Sequence, residues 1–364
     1  MNTPPVQRIR AAQVEVPCTD LANTLSYLTG QLGFHVESIL PADQPTTAVL
    51  SGHGVRLRLQ QAPPGANIVP LTLFLSCQGV GDCAPTVQGP DGMAIRLIED
   101  TPQVKVPEGT GEWVFVHGDE ARATWLTGRA GMQYRDLIPG RLGGRFIASQ
   151  IRIPAGGPVP DYVHYHLVHF QMIYCKSGWV RVVYEDQGAP FVLEAGDCVL
   201  QPPTIRHRVL EASPGLEVIE VGCPAVHETR GDAGMTLPTG RIDADRLFAG
   251  QRFVRHVAAS APWSPWPRGA DKPQLRARDL GIESATAGLA AARVVRADAD
   301  AHVAALHHGE LLFLFVLEGL MGVDGSAQRP HTLHAGDSVV IPAGSPAALR
   351  CCAGLELLEV ALPA

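Results

Sequence analysis

Lysine is scarce, confined to Lys105, Lys176 and Lys272, so the basic residues are almost all arginine, and these are scattered rather than massed in runs. With 36 acidic against 29 basic residues and a formal net charge of -7, the chain lacks the basic stripe that grips a phosphate backbone, and nucleic acid is not an expected partner. No long hydrophobic run is present either. The oiliest stretch, "LLFLFVLEGLMGV", is interrupted by Glu318 well short of a membrane span, and the opening "MNTPPVQRIRAAQVEV" has no apolar core with a cleavage site. A cytoplasmic location and no membrane partner are therefore expected. The eight cysteines include no C-x-x-C pair, which argues against a zinc knuckle and a disulfide framework. Cys175 and Cys198 fall near the candidate site described below, but as small buried apolar side chains rather than reactive ones.

At 364 residues the chain exceeds one hydrophobic core, and its 46% hydrophobic content is that of a globular protein. An internal repeat organises most of it. "LEVIEVGCPA" (Leu216 to Ala225) is echoed by "LELLEVALPA" (Leu355 to Ala364), "LEAGDCVLQPP" by "LHAGDSVVIPA", and "YRDL" (Tyr134 to Leu137) by "ARDL" (Ala277 to Leu280). The offset of about 140 residues suits a duplicated domain. Each copy consists of short Val, Ile, Leu and Phe runs broken by Gly, Pro, Asp and Ser, the rhythm of an antiparallel barrel or sandwich. "SAPWSPWPRGADKP" between the copies reads as a linker pinned against a barrel wall, and "GRLGGR" (Gly140 to Arg145) as a turn rather than a phosphate loop.

The first hundred residues follow another pattern. "AAQVEVPCTD" predicts a strand running into an N-cap at Asp20, Leu21, Leu25, Leu28 and Leu32 recur at helical spacing, and Gly33 stops the helix. "HVESIL", "TTAVLSG", "VRLRLQ" and "VPLTLFLS" then predict strands.

Chemistry concentrates between Asp161 and Val209. In a strand, residues i and i+2 share a face, so His164 and His166 can aim two imidazoles at one point, with Gln171 on the returning strand and His207 arriving from a non-local one. Neutral imidazole suits a divalent transition metal. One such ion per chain is expected, with His164, His166 and His207 as ligands and catalytic groups. His169 is read as a turn residue, Arg206 as a surface ion pair, and Arg152 as a candidate for pairing with a substrate carboxylate.

These residues resemble the cupin superfamily, whose motifs are H-x-H-x(3,4)-E-x(6)-G and G-x(5)-P-x-G-x(2)-H-x(3)-N. His164, His166, Gln171 and Gly178 fall on the first, and Gly196, Pro202 and His207 on the second; Gln171 replaces the Glu, Thr204 the Gly and Glu211 the Asn, and the resemblance implies Gln171 as a fourth ligand and catalytic group beside the three histidines. In the second copy Ala305, His307, Leu312 and Ala347 occupy the four ligand positions, so its chemistry is lost while its turn is kept. "DLANTLSYLTGQLGFHV" and "GPDGMAIRLIE" in turn resemble the vicinal oxygen chelate fold of glyoxalase and bleomycin-resistance proteins, but Gln13 and Arg96 stand at that family's metal positions, which implies a metal-free domain.

The resemblance implies a mainly β protein of two double-stranded β-helix barrels preceded by an α+β domain. The expected divisions are 1–105, metal-free; 106–230, the barrel with the metal site; and 231–364, the degenerate barrel. Gln171 has no useful basicity, so substrate would lose its proton by chelation. That logic, with the pattern of the carboxylate-lacking cupin dioxygenases, implies an Fe(II)-dependent dioxygenase of a small oxygen-chelating organic acid, phenol or diketone, with Mn, Ni, Zn or Cu as other candidate metals. The alternatives are a metal-dependent isomerase, lyase or hydrolase, and a non-catalytic binding protein. A homodimer acting on a small-molecule substrate is expected.

Overall fold

A computed structural model describes residues 11–77, 86–99, 104–118, 124–325 and 329–363. The chain forms two compact units, Met1–Gln103 and Val104–Ala364. No helix among the described residues is long and apolar enough to cross a membrane.

In the first unit, Asp20 caps the helix Leu21–Gly30, its side chain accepting from the Asn23 N–H, while Leu21 and Leu28 are buried against the sheet behind. Gly33, at φ 70°, lets the chain reverse. Strands Val14–Cys18, His35–Leu40, Thr47–Gly52 and Val55–Gln61 form a sheet in the order first, fourth, third, second. Its outer pair, Val14–Cys18 and Val55–Gln61, is parallel, a pairing that needs a crossover and obtains it from the intervening helix and hairpin. A smaller sheet joins Thr72–Cys77 in parallel to Ala94–Glu99, with Thr86–Gln88 alongside. Gln13 is exposed just ahead of the first strand, and Arg96 is exposed over the Phe74 ring.

The second unit contains the two repeat copies, each made of two facing antiparallel sheets. In the first copy one sheet carries Phe170–Ser177, Leu216–Cys223 and Ile147–Ile153 side by side; the other carries Trp179–Tyr184, His207–Ala212 and His164–His166. The second copy repeats this with Leu311–Glu318, Glu356–Leu362 and Ala291–Ala297 facing Leu320–Gly325 and Ala347–Cys351.

The copies exchange edge strands. Val114–Val116, which precedes the first copy in sequence, pairs with Ser338–Val340 of the second, and Val254–His256, which precedes the second, pairs with Cys198–Leu200 of the first. Each exchange covers a sheet edge that would otherwise expose unpaired backbone. A cut at residue 230 therefore follows the repeat but not the packing. Residues beyond it stay on the first barrel: Arg246 pairs with Glu185 and Asp186, and Phe248 and Phe253 enter its core. Correspondingly, "SPW" is no linker. Ser264–Pro265 extends the second barrel's sheet and Trp266 is fully buried in its core. One apolar cluster runs through both copies, with Phe170 and Met172 of the first against Phe313, Phe315 and Leu358 of the second.

Candidate metal centre

Strand His164–His166 lies beside His207–Ala212 with His164 directly opposite His207, and alternation turns His166 to the same side as His164. The ligand nitrogens of His164, His166 and His207 lie within 4.8 Å of one another. Each ring is held by its other nitrogen. His164 Nδ1 lies 2.8 Å from the Tyr162 carbonyl and His207 Nδ1 3.0 Å from the Ile205 carbonyl, so both donate from Nδ1; His166 Nδ1 lies 2.8 Å from Thr229 Oγ1. With Nδ1 donating to a carbonyl, the Nε2 atoms of His164 and His207 carry the lone pair that a cation would take. His164 Nε2 is buried with no hydrogen-bond partner among the described residues, a costly arrangement for a polar atom that a bound cation would relieve. Three neutral nitrogen donors and an orphaned buried lone pair fit a divalent transition metal.

Burial pushes all three imidazoles below their ordinary value of 6.5, and neighbouring rings reinforce the shift at His166 and His207. Below that value the unfolded chain binds protons that the folded protein refuses. Their stabilising contribution is complete above pH 6.5 and is lost as pH falls. Chelator-treated protein is expected to show a melting temperature that declines from about pH 6.5 downward, with a shallower decline in His166→Asn; differential scanning fluorimetry from pH 8 to 5 checks this.

The fourth sequence-derived ligand is placed differently. Gln171 is buried beside the imidazoles, but its carbonyl Oε1 accepts from Gln201 Nε2 at 3.2 Å, and its own Nε2 donates to Glu220 Oε1 at 2.5 Å. Gln201 Nε2 also lies 3.3 Å from His207 Nε2, and Gln201 Oε1 accepts from the Tyr184 hydroxyl at 2.8 Å. Gln171 is thus one member of an amide chain running along the metal-facing wall. Gln201 and Glu220 carry no position in the histidine motifs. Glu220 was nonetheless visible as the last residue of "LEVIE", since Glu359 ends the matching "LELLE".

His166 and His207 open onto a cavity of about 310 Å³ inside the first barrel. Ile151, Ile153, Ile173, Val180, Val182 and Val218 supply an apolar wall, while Ser149, Tyr134, Arg129 and Glu220 add polar groups. Arg152 is not among its lining residues. Ile151 and Ile153 face the cavity, so alternation turns Arg152 outward, where it bonds Gln133 Oε1 at 2.7 Å and sits 3.9 Å above the Trp125 ring. Arg129 is the cation that borders the cavity, paired with the fully buried Asp161. Arg206 pairs with Asp232 at 3.1 Å, and His169 is exposed. Cys175 and Cys198 are fully buried; burial pushes the Cys175 thiol up to about 12 and the Cys198 thiol higher, so both remain protonated.

In the second barrel, Ala305, Leu312 and Ala347 stand where His164, Gln171 and His207 stand in the first, and Leu312, Leu314, Val316 and Met321 close into a continuous apolar core. His307, in the place of His166, bonds the Ile341 carbonyl through Nε2 at 2.6 Å. The turn before the third ligand differs instructively. Gly344 takes φ 69° there, and Thr204 is held at φ 66° in the first copy. A β-branched residue in left-handed backbone is strained. Thr204→Gly is expected to stabilise the protein by about 1 kcal/mol without changing metal content, as denaturant melts and elemental analysis would show.

Comparisons with known proteins agree with this architecture. A model of the cupin domain matches residues 149–221, so the chain contains a cupin domain. No curated protein matches the sequence. Among solved structures the chain is similar to protein YlbA from E. coli, at 13% identity and a TM-score of 0.50 over 71% of this chain and 94% of that one. It is also similar to salicylate 1,2-dioxygenase from Pseudaminobacter salicylatoxidans, at 16% identity and a TM-score of 0.49 over 70% and 85% of the two chains. A third is the oxalate decarboxylase formate complex of Lactobacillus farciminis, at 14% identity and a TM-score of 0.47 over 71% and 87%. At 13% identity the likeness to YlbA concerns the fold alone.

Proposed function

We propose that the first barrel is a metal-dependent enzyme site for a small oxygen-chelating organic acid, phenol or diketone, and that with Fe(II) it acts as a dioxygenase. The observation that carries the reading is the convergence of three anchored imidazoles, two of them lining an apolar cavity of about 310 Å³ and the third, His164, with an orphaned buried Nε2. A bound dication would supply Lewis acidity, lowering the pKa of a chelating hydroxyl and drawing in anionic oxygen donors.

The chain's own residues prepare that encounter. The Tyr162 and Ile205 carbonyls and the Thr229 hydroxyl fix the imidazole orientations. Gln171 and Gln201 present amides that position a ligand without taking its proton. The isoleucine and valine wall receives the apolar body and excludes water. Thr229→Val, which removes the anchor of His166 while preserving shape, is expected to weaken metal affinity about 10- to 100-fold, measured by competition with a chromophoric chelator.

The reading is tested by elemental analysis of protein purified without chelators, followed by oxygen-electrode assays of Fe(II)-loaded protein with hydroxybenzoates, catechols and β-diketones. Oxygen uptake with at least one of these is expected. Turnover that proceeds anaerobically would instead assign a metal-dependent isomerase, lyase or hydrolase, and binding without turnover a small-molecule-binding protein. The parallel pairing of Val14–Cys18 with Val55–Gln61 and the crossover between them support a glyoxalase-like domain in the first unit, and Gln13 and Arg96, which offer neither imidazole nor carboxylate, support its being metal-free. The packed core of the second barrel supports a scaffolding role. A homodimer is part of the same proposal, and sedimentation equilibrium tests it.

A further inference from the structure

We propose that Glu220 sets the substrate class of this site: it accepts a hydrogen bond from an O–H or N–H group that the substrate carries in addition to its chelating oxygens. The inference rests on the metal-site reading above. Glu220 lies in strand Leu216–Cys223, opposite Ser149 on one side and Ile173 on the other, and its side chain lines the cavity with Leu216 and Val218. Among the described residues its one hydrogen-bond partner is Gln171 Nε2.

The second barrel shows what such a carboxylate needs when it has only a structural task. Glu359 occupies the matching strand position, opposite Arg293 as Glu220 is opposite Ser149. It is 2% exposed and held by two guanidinium groups, Arg268 at 3.1 Å and Arg293 at 3.5 Å. A buried charge satisfied in this way is ordinary. In the first barrel the acid is kept, Ser149 stands in place of the arginine, and the leucine at 312 is matched by Gln171. Among the described residues Glu220 has no ion pair, and it shares an open cavity with Ser149, Tyr134, Arg129 and the isoleucine and valine wall. An acceptor of that strength, bonded only to one amide, gains when a donor enters with the ligand.

Its distance from the metal end is set by the amide chain. Contacts of 2.5, 3.2 and 3.3 Å lead from Glu220 through Gln171 and Gln201 to His207 Nε2. A ligand chelated at the imidazoles therefore passes Glu220 partway along its body. A ring-hydroxylated or amino-substituted acid presents a donor there, whereas an unsubstituted one leaves the carboxylate without an additional partner.

The test is calorimetric and needs no turnover. Zn(II)-loaded wild type is titrated with benzoate, the three monohydroxybenzoates and 3-aminobenzoate, and the series is repeated with Glu220→Gln and Glu220→Met. At least one donor-bearing acid is expected to bind wild type about 10- to 100-fold more tightly than benzoate, the span of one charge-assisted hydrogen bond. In Glu220→Met that preference is expected to shrink to within about threefold while zinc content is retained. Glu220→Gln, which still bonds Gln171, separates loss of the acceptor from loss of the amide chain: reduced preference with full zinc content supports the proposal. An undiminished preference in both variants, or equal binding of all acids by wild type, overturns it while leaving the metal-site reading intact. Failure of every acid to bind zinc-loaded wild type overturns both.

Discussion

Replacing His207 by alanine is expected to strip the protein of its metal while leaving the barrel folded. His207 is 5% exposed, lies opposite His164 across the strand pair, and belongs with His164 and His166 to the group whose ligand nitrogens converge among the described residues. Two remaining nitrogens and neighbouring amides, which are weak donors, cannot hold a first-row dication against solvent. The lost bond to the Ile205 carbonyl, 3.0 Å in the native protein, costs about 1 kcal/mol, too little to unfold the unit. Metal content should therefore fall from near one ion per chain to a trace, with an unchanged circular dichroism spectrum. The stabilisation by added metal, about 2.7 kcal/mol at a hundredfold excess over Kd, should vanish with it. His307→Ala is the internal control, since that ring occupies the His166 position of the second barrel and bonds a backbone carbonyl instead. It should leave metal content untouched.

The second large effect concerns the joint between the barrels. Phe315 belongs to the second copy and is fully buried in the cluster that also contains Phe170 and Met172 of the first. Truncation to alanine is expected to cost about 3–5 kcal/mol, through lost transfer energy and the cavity left behind. For a unit of this size that lowers the melting temperature on the order of 10 °C. Because Val114–Val116 and Val254–His256 are exchanged, neither barrel keeps its complete sheet when the other opens. Both should melt in one transition, and the metal site, although built from the first copy, should be lost at the same lowered temperature. Two separated transitions, with metal retained through the first, would contradict this coupling.

Local patterns were readable in the sequence where the physics is local. The His164 and His166 pair rests on strand alternation, and Asp20 ahead of a leucine periodicity marks a helix start. Those features involve neighbours a few residues apart. The facing of Arg152 was not legible, because the chain passes through Gly156 and Gly157, both at positive φ, before reaching His164, and alternation does not carry across such a turn. The exchanged strands were illegible for another reason: three residues are too short to show a period, and the partner of Val114–Val116 lies more than two hundred residues away. Glu220 sits between these cases. The repeat preserves it as Glu359, but its meaning depends on Ser149 replacing Arg293 across a strand, a long-range pairing.

The most direct measurement is an anomalous difference map from crystals of the metal-replete protein, collected on either side of the absorption edge of the element that purifies with it. One peak per chain, enclosed by the Nε2 atoms of His164, His166 and His207, is the expected result. Metal-replete crystals with no peak there, or with the ion bound elsewhere, would contradict the assignment of this barrel as the working centre of the protein.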